Sequence, residues 1–408
     1  MEDFLRFSFN EKSSALLLFF CVGLVFSILS MILGSRRNYA AGKWLALLLL
    51  LCIFYISPHM FGYAGWYGDG STRAFLFFVP FMQVFLIGPV VFFYTKALLN
   101  HQFKLQKSDR LHFIPAVLYG LYSLIVFVTD VFVMDDYYFY ADGRDKDLAD
   151  WYQVTGLLSM IAYLILSLRH YSVYKTRINE EVSYADSILF KWVRNFMLAF
   201  LCLLVLRILF FIFNPDWGQF GSQFWYYFAF SLVFTYVAIA GYSNVVQFIT
   251  MSESGIRVYN VFHDEISPAA DIETGAANAS NIDQPTKIDS ARNDLDTLKE
   301  QLSNEMKESK LYQNPRLTLT DVAESLNTTT KSVSEVVNQG FGMNFNDYVN
   351  AYRVEAVKAK LEAQEHLNHT LLGIAIDCGF NSKATFNRAF KKHCGISPME
   401  FLNRTNKN

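Results

Sequence analysis

The chain has 408 residues, of which 52% are hydrophobic, 17% aromatic and only 18% charged, with a formal net charge of −2. That balance excludes a disordered chain, and so slight a net charge excludes a protein that grips polyanions by bulk charge alone. The averages conceal two unlike parts that meet near Val246.

In the first part, apolar runs recur at about 15–34, 44–63, 75–98, 111–134, 152–172, 195–214 and 224–245. Each is close to the roughly 20 residues that a helix needs to cross a bilayer. The pattern predicts seven transmembrane helices, with Pro58, Pro80, Pro89 and Pro115 marking bends in or near them, which membrane helices tolerate. Glu2 and Asp3 make a poor basic region for a cleaved leader, so the first run reads as a retained span.

Basic residues set the orientation. Arg36, Arg37 and Lys43 follow the first run; Lys96, Lys104, Lys107 and Arg110 follow the third; Lys175, Arg177, Lys191 and Arg194 follow the fifth. These loops are expected inside. The alternate loops are rich in acid, with Asp135, Asp136, Asp142, Asp145, Asp147 and Asp150 against Arg144 and Lys146, and Trp66, Trp151 and Trp217 lie where an outer aromatic belt would be. Seven spans from an outer N-terminus leave the C-terminus in the cytoplasm. Two ionisable groups fall inside spans, Asp130 and Arg207. Such groups face a bundle interior or a wet cavity, so Arg207 is a candidate anchor for an anionic ligand, with Asp130, His59 and Gln83 as further polar candidates; the alternative is that they brace helices. Cys21, Cys52, Cys202, Cys378 and Cys394 show no metal spacing and read as core residues, a redox pair of Cys378 and Cys394 being the alternative.

Between the parts, 265–289 has few large apolar residues and reads as a flexible tether, within a linker expected over 248–290. Leu295, Leu298, Leu302 and Met306 then fall at helical spacing. They suit a first helix packing on the core of the following domain, or else a short dimerising coiled coil.

The last quarter writes one pattern twice. Ala323 is followed by Asn327, Val333 and Gly342-Met343-Asn344-Phe345; Ala375 is followed by Gly379, Phe386 and Gly395-Ile396-Ser397-Pro398, with one residue inserted in the second turn. Small Ala323 and Ala375 let two helices cross, Asn327 and Gly379 tolerate the left-handed conformation that ends a helix, and Val333 and Phe386 return to the core. Thr318 or Thr320, Thr329, Thr370 and Ser382 are candidate caps. Together the copies specify two helix-turn-helix units.

This stretch resembles the DNA-binding domain of the AraC/XylS family of bacterial transcription regulators over roughly 291–405, through Ile374-Ala375, Gly379-Phe380, Ser382, Phe386, Arg388, Phe390-Lys391-Lys392, Gly395 and Pro398. The resemblance implies two helix-turn-helix subdomains, at about 318–342 and 370–394, joined by a linker helix at about 346–363, each placing one helix in the major groove. It puts base contacts at Lys383, Ala384, Asn387 and Arg388 in the second copy and at Lys331, Ser334 and Glu335 in the first. Arg388 could fork onto guanine, Asn387 pair with adenine and Ala384 touch a thymine methyl, while Lys391, Lys392 and Ser382 suit phosphates.

The copies differ in charge. From Lys383 onward six basic residues stand against Glu400 alone, whereas Lys331 is the only basic residue between Asp321 and Tyr352. The second copy is expected to supply most of the affinity and the first to add selectivity.

The whole chain therefore reads as all-α: a seven-transmembrane-helix bundle over 1–247, a linker over 248–290, and an AraC-type domain with two helix-turn-helix subdomains over 291–405. The expected function is a one-component transcription regulator in the bacterial cytoplasmic membrane, with double-stranded DNA, the lipid bilayer, an unidentified small-molecule or membrane signal and a second copy of the chain as partners. No zinc-binding His pair, phosphate loop or nucleophile elbow is present in the sequence, so neither an enzyme nor a cofactor is expected. The competing class is a transporter or membrane enzyme with a regulatory DNA-binding tail.

Overall fold

A computed structural model describes residues 7–68, 70–185, 191–213, 220–253 and 286–405. These residues are all-α, and their one piece of extended pairing is an isolated antiparallel bridge between Val182 and Thr318. The chain divides into two compact units, Met1–Tyr171 with Lys191–Asn260, and Ser172–Phe190 with Val261–Asn408.

The first unit holds α1 (Glu11–Arg36), α2 (Ala40–Tyr63), α3 (Gly70–Phe78), α4 (Val84–Leu99), α5 (Ile114–Val128), most of α6 (Asp150–Glu181), α7 (Lys191–Phe213) and α8 (Phe224–Glu253). Helix α1 starts at a reciprocal cap in which Asn10 accepts from the Ser13 amide at 2.8 Å and Ser13 Oγ accepts from the Asn10 amide at 2.9 Å. Asn10 also donates to the Tyr63 carbonyl at 2.6 Å, which ties the start of α1 to the end of α2. The two helices close on small residues: a Cβ at Gly34 would lie 2.8 Å from the Lys43 amide nitrogen, and Ser27 Oγ donates across to the Ala46 carbonyl at 2.8 Å. Small residues and short hydroxyls at a crossing are how helices associate where water gives no hydrophobic drive between them.

Among the described residues six helical stretches are long and apolar enough to cross a membrane: Glu11–Arg36, Ala40–Tyr63, Ser108–Val133, Asp150–Glu181, Lys191–Phe213 and Phe224–Thr250. The run expected over 75–98 is broken instead. Helix α3 ends at Phe78 and α4 begins at Val84, with Pro80 between them. Proline lacks an amide hydrogen and pushes its predecessor out of the helical region, so the helix stops there. Helix α4, with 16 residues, spans about 24 Å. Pro115 lies in the first turn of α5, where a missing amide costs nothing, rather than at a bend. Pro58 and Pro89 lie inside α2 and α4.

Apolar side chains remain on the outside of this unit. Val117, Leu118, Leu121, Leu124 and Ile125 of α5 are each more than half exposed. So continuous a stripe requires an apolar surrounding.

The second unit contains α9 (Thr286–Glu308), α10 (Leu319–Ser325), α11 (Thr330–Glu335), α12 (Phe345–Glu362), α13 (Leu371–Asp377), α14 (Lys383–Cys394) and α15 (Pro398–Thr405). It has two apolar cores. The first joins Leu302, Met306, Val322, Ala323, Val333, Tyr348 and Val349, with Leu295 and Leu298 packed against it. The second joins Val354, Val357, Leu361, Ile374, Ala375, Phe380, Phe386 and Phe390. Helix α12 thus gives its first half to one core and its second half to the other. Helix α9 buries Leu302 and Met306 in its own domain, which uses the face a coiled coil would need. The tether at 265–285 lies outside the described residues; the ends of the wider 248–290 segment, up to Glu253 and from Thr286, belong to α8 and α9.

Candidate nucleic-acid interface

Two helix pairs form the candidate interface. In the first, Thr318 caps α10, accepting from the Asp321 amide at 3.2 Å while Asp321 accepts from the Thr318 amide at 2.8 Å. Asn327 turns the chain with φ 49°, and Thr329 caps α11 by accepting from the Ser332 amide at 3.1 Å. In the second, Thr370 caps α13, Gly379 turns the chain with φ 94°, and Ser382 caps α14 by accepting from the Thr385 amide at 3.1 Å. The turn runs 326–329 in the first pair and 378–382 in the second, so the extra residue of the second copy lies in its turn.

Helix α14 is cleanly amphipathic. Thr385, Phe386, Ala389 and Phe390 are buried, while Lys383, Ala384, Asn387, Arg388, Lys391 and Lys392 are exposed. The spacing 384, 387, 388, 391 puts one face of the helix outward, with Asn387 and Arg388 at its centre. A helix of this width fits the major groove of B-form DNA, and Arg and Asn are the side chains that pair bidentately with guanine and adenine. Lys392 also holds Asp347, at the start of α12, at 2.6 Å. A phosphate at Lys392 therefore competes with this ion pair.

Helix α11 offers a smaller exposed face. It has six residues before the chain widens into a π turn over Val336–Gly340. Lys331 and Glu335 are exposed and Ser334 is half-buried. Asn338 donates to Ser334 Oγ at 3.2 Å and Gln339 to Glu335 Oε1 at 3.4 Å, so both candidate contacts are already engaged along their own helix.

The polar candidates of the first unit do not converge on one site. Arg207 is buried and donates to Tyr55 Oη and Gln153 Oε1. Tyr55 in turn bonds Tyr226 at 3.0 Å. Among the described residues these partners are neutral. Beside Arg207 lies a cavity of about 30 Å³, lined by Tyr55, Tyr226, Leu48, Met160, Phe200 and Phe230 among others, room for a water or two. His59, Asp130 and Gln83 are absent from its wall. His59 bonds Gln223 at 2.7 Å and stacks on Tyr227, with ring centroids 3.7 Å apart. Asp130 accepts from the Phe139 amide at 3.1 Å and so closes the loop that follows it, and Gln83 donates to the Pro80 carbonyl at 2.8 Å. Gln153 and Tyr226 are partners of Arg207 that hydropathy could not single out.

In the acidic segment between α5 and α6, two carboxylates are drawn inward. Asp145 and Asp147 are buried rather than solvated. Asp147 accepts from the Met82 amide at 2.9 Å and from Tyr119 Oη, and Asp145 accepts from Tyr67 Oη at 3.0 Å. Burial pushes the Asp147 carboxyl up to about 6, and burial together with Asp147 raises Asp145 well above the usual range. The cysteines Cys378 and Cys394 are both free.

No curated protein and no solved structure matches this chain. One family model does, described as a helix-turn-helix domain, and it covers residues 322–404, the stretch that holds both turns, the linker helix and α14. The C-terminal part of the chain is therefore an AraC-type helix-turn-helix domain, that of a DNA-binding regulator, behind a helical region whose several apolar helices fit a membrane domain.

Proposed function

We propose that the chain is a membrane-embedded one-component transcription regulator, in which a signal received by the first unit controls sequence-specific DNA binding by α11 and α14. The observation that carries this reading is the presence, among the described residues of one chain, of six long apolar helices and a helix-turn-helix domain whose helix α14 presents Lys383, Asn387, Arg388 and Lys391 outward. In the proposed topology α4 supplies a seventh crossing. The N-terminus is then outside the cell and the DNA-binding domain in the cytoplasm, as the basic loops at Arg36–Lys43, Lys96–Arg110 and Lys175–Arg194 favour. Within the first unit, Arg207 is the proposed anchor for an anionic ligand, because a buried cation with neutral partners gains most from an opposite charge; the cavity of about 30 Å³ beside it must widen to admit anything larger than a small ion. Asp130, His59 and Gln83 are structural on this reading. A second copy of the chain is a further proposed partner, since 16 basic residues against 15 acidic ones from Lys287 to Asn408 leave one domain with little long-range pull on DNA.

The test is genome-wide occupancy of the tagged full-length protein, with transcripts measured in its presence and absence. Discrete sites that vanish on deleting residues 291–408 are the expected result. Occupancy without sequence preference would make the protein a DNA anchor instead, and solute uptake into proteoliposomes would favour a transporter with a regulatory tail.

A further inference from the structure

Helix α6 is longer than a bilayer requires. Its 32 residues extend about 48 Å, against the roughly 30 Å of a hydrocarbon core. The surplus is at its C-terminal end, where Lys175, Arg177, Glu180 and Glu181 replace the apolar run. From Ser172 on, this end belongs to the same compact unit as the DNA-binding domain.

The four residues after α6 are seated in that domain. Val182, Ser183 and Ala185 are completely buried. Val182 makes the antiparallel bridge with Thr318, and the Ser183 amide donates to the Leu317 carbonyl at 3.0 Å. Asn346 of α12 reaches the Val182 carbonyl at 3.4 Å. Arg353, also of α12, donates to the Ser183 carbonyl at 3.2 Å and to Ser183 Oγ at 3.0 Å.

Arg353 lies where the two reader subdomains meet. Val349 on one side of it belongs to the first core and Val354 on the other to the second. Its guanidinium holds the Tyr312 carbonyl at 2.8 Å and the Asn314 carbonyl at 2.8 Å, both in the loop before α10. It also lies 5.9 Å from the ring centroid of Phe380, in the turn of the second subdomain. One side chain therefore contacts both subdomains and the segment that follows α6.

We propose that Val182–Ala185 is a strap that docks on this junction and sets the relative orientation of the two readers, so that α6 is the path by which the membrane helices act on DNA binding. An axial shift or rotation of a stiff helix moves the strap directly, and two reading helices on one duplex tolerate little change in spacing. This rests on the regulator reading above.

The docking is tested with Val182→Cys and Thr318→Cys together in the full-length protein in membranes, because residues paired across an antiparallel bridge are within disulfide reach. Under mild oxidation the expected result is an intramolecular crosslink, reversed by reductant and missing from each single variant. Its absence overturns the strap. The consequence is tested with Val182→Asp, which charges the buried contact without touching a reader, and with Ser183→Ala, which removes one hydroxyl. With membrane levels unchanged, Val182→Asp is expected to change genomic occupancy at the native sites by about fivefold or more, the low end of allosteric coupling, and Ser183→Ala to change it less but in the same direction. Occupancy unaltered in both variants overturns the path through α6 even if the crosslink forms. A native protein with no discrete sites refutes the regulator reading instead, and the crosslink still decides the docking.

Discussion

The asymmetry of the two readers makes a prediction with a separate signature for each kind of contact. On the proposed reading two exposed lysines of α14, Lys391 and Lys392, are placed for phosphates. Each neutralised phosphate contributes about −0.9 to the slope of log affinity against log salt, so these two contribute about −1.8, or on the order of tenfold in affinity between 50 and 200 mM salt. Lys391→Ala should make the slope shallower by about 0.9 without changing which sequence is preferred. Arg388→Ala should behave differently. Losing a bidentate base contact costs about 1–3 kcal/mol, or about 5–150-fold, and relaxes discrimination at one base pair. Lys331→Ala and Glu335→Ala, at candidate base contacts of the first copy, should both alter sequence preference. The assay is fluorescence anisotropy of full-length protein in nanodiscs, titrated onto a duplex from the strongest occupied site at several salt concentrations. Unchanged binding by Arg388→Ala, or a changed base preference with an unchanged slope in Lys391→Ala, refutes the assignment of α14 as the principal reader.

Two further outcomes follow from backbone and burial. Gly379→Ala should destabilise the DNA-binding domain by about 1–3 kcal/mol, read as lost protease protection, because a Cβ there would lie 2.3 Å from the Tyr312 carbonyl at φ 94°; Gly342→Ala, at φ 66° but in open space, should cost no more than about 1 kcal/mol. Because burial raises the folded-state carboxyl of Asp147 to about 6 and that of Asp145 well above the usual range, the folded state binds protons more tightly than the unfolded state, so stability should fall as pH rises from about 4 through about 6 and beyond. Thermal unfolding of the nanodisc-held protein across that range should show this slope, and Asp147→Asn should reduce it, leaving the part that Asp145 contributes.

What could be read in advance was whatever local rules decide. The repeat, the caps Thr318, Thr329, Thr370 and Ser382, and the left-handed Asn327 and Gly379 depend on neighbours within four residues, and the structure shows all of them. All-helical architecture follows from the same periodicity. Hydropathy, by contrast, averages over a window, so it passed across Pro80 and merged α3 with α4. It also gives no sign that Asp145 and Asp147 are buried, because Tyr67, Tyr119 and the Met82 amide draw them inward from far along the chain. The contacts of Ser183 with Arg353 and of Gln153 with Arg207 are hydrogen bonds between residues 170 and 54 positions apart. No spacing rule covers such pairs. Arg353 in particular lies in a helix whose sequence pattern is decided by its apolar positions, and a charged residue there looks like one more solvated side chain.

That expectation can be tested at Arg353 itself. The side chain is 1% exposed, and burial pushes its guanidinium down to about 10, which still leaves it charged at neutral pH. Among the described residues no carboxylate pairs with it. The charge is satisfied by oxygens alone: the carbonyls of Tyr312, Asn314 and Ser183, the Ser183 hydroxyl, and Asn350 Oδ1 at 3.2 Å. A planar fork with donors on three nitrogens can serve that set, and a lysine ammonium, with three donors at one point, cannot. On a solvated face Arg353→Lys would be silent. Here it keeps a buried charge and orphans acceptors at about 1–3 kcal/mol each, so it should cost at least as much stability as Arg353→Met, which orphans the same acceptors but removes the charge. Hydrogen exchange on the full-length protein should then show protection lost from both helix-turn-helix pairs together, because one side chain joins them. If lysine restores native protection where methionine does not, charge rather than the fork holds the junction, and the geometric argument fails.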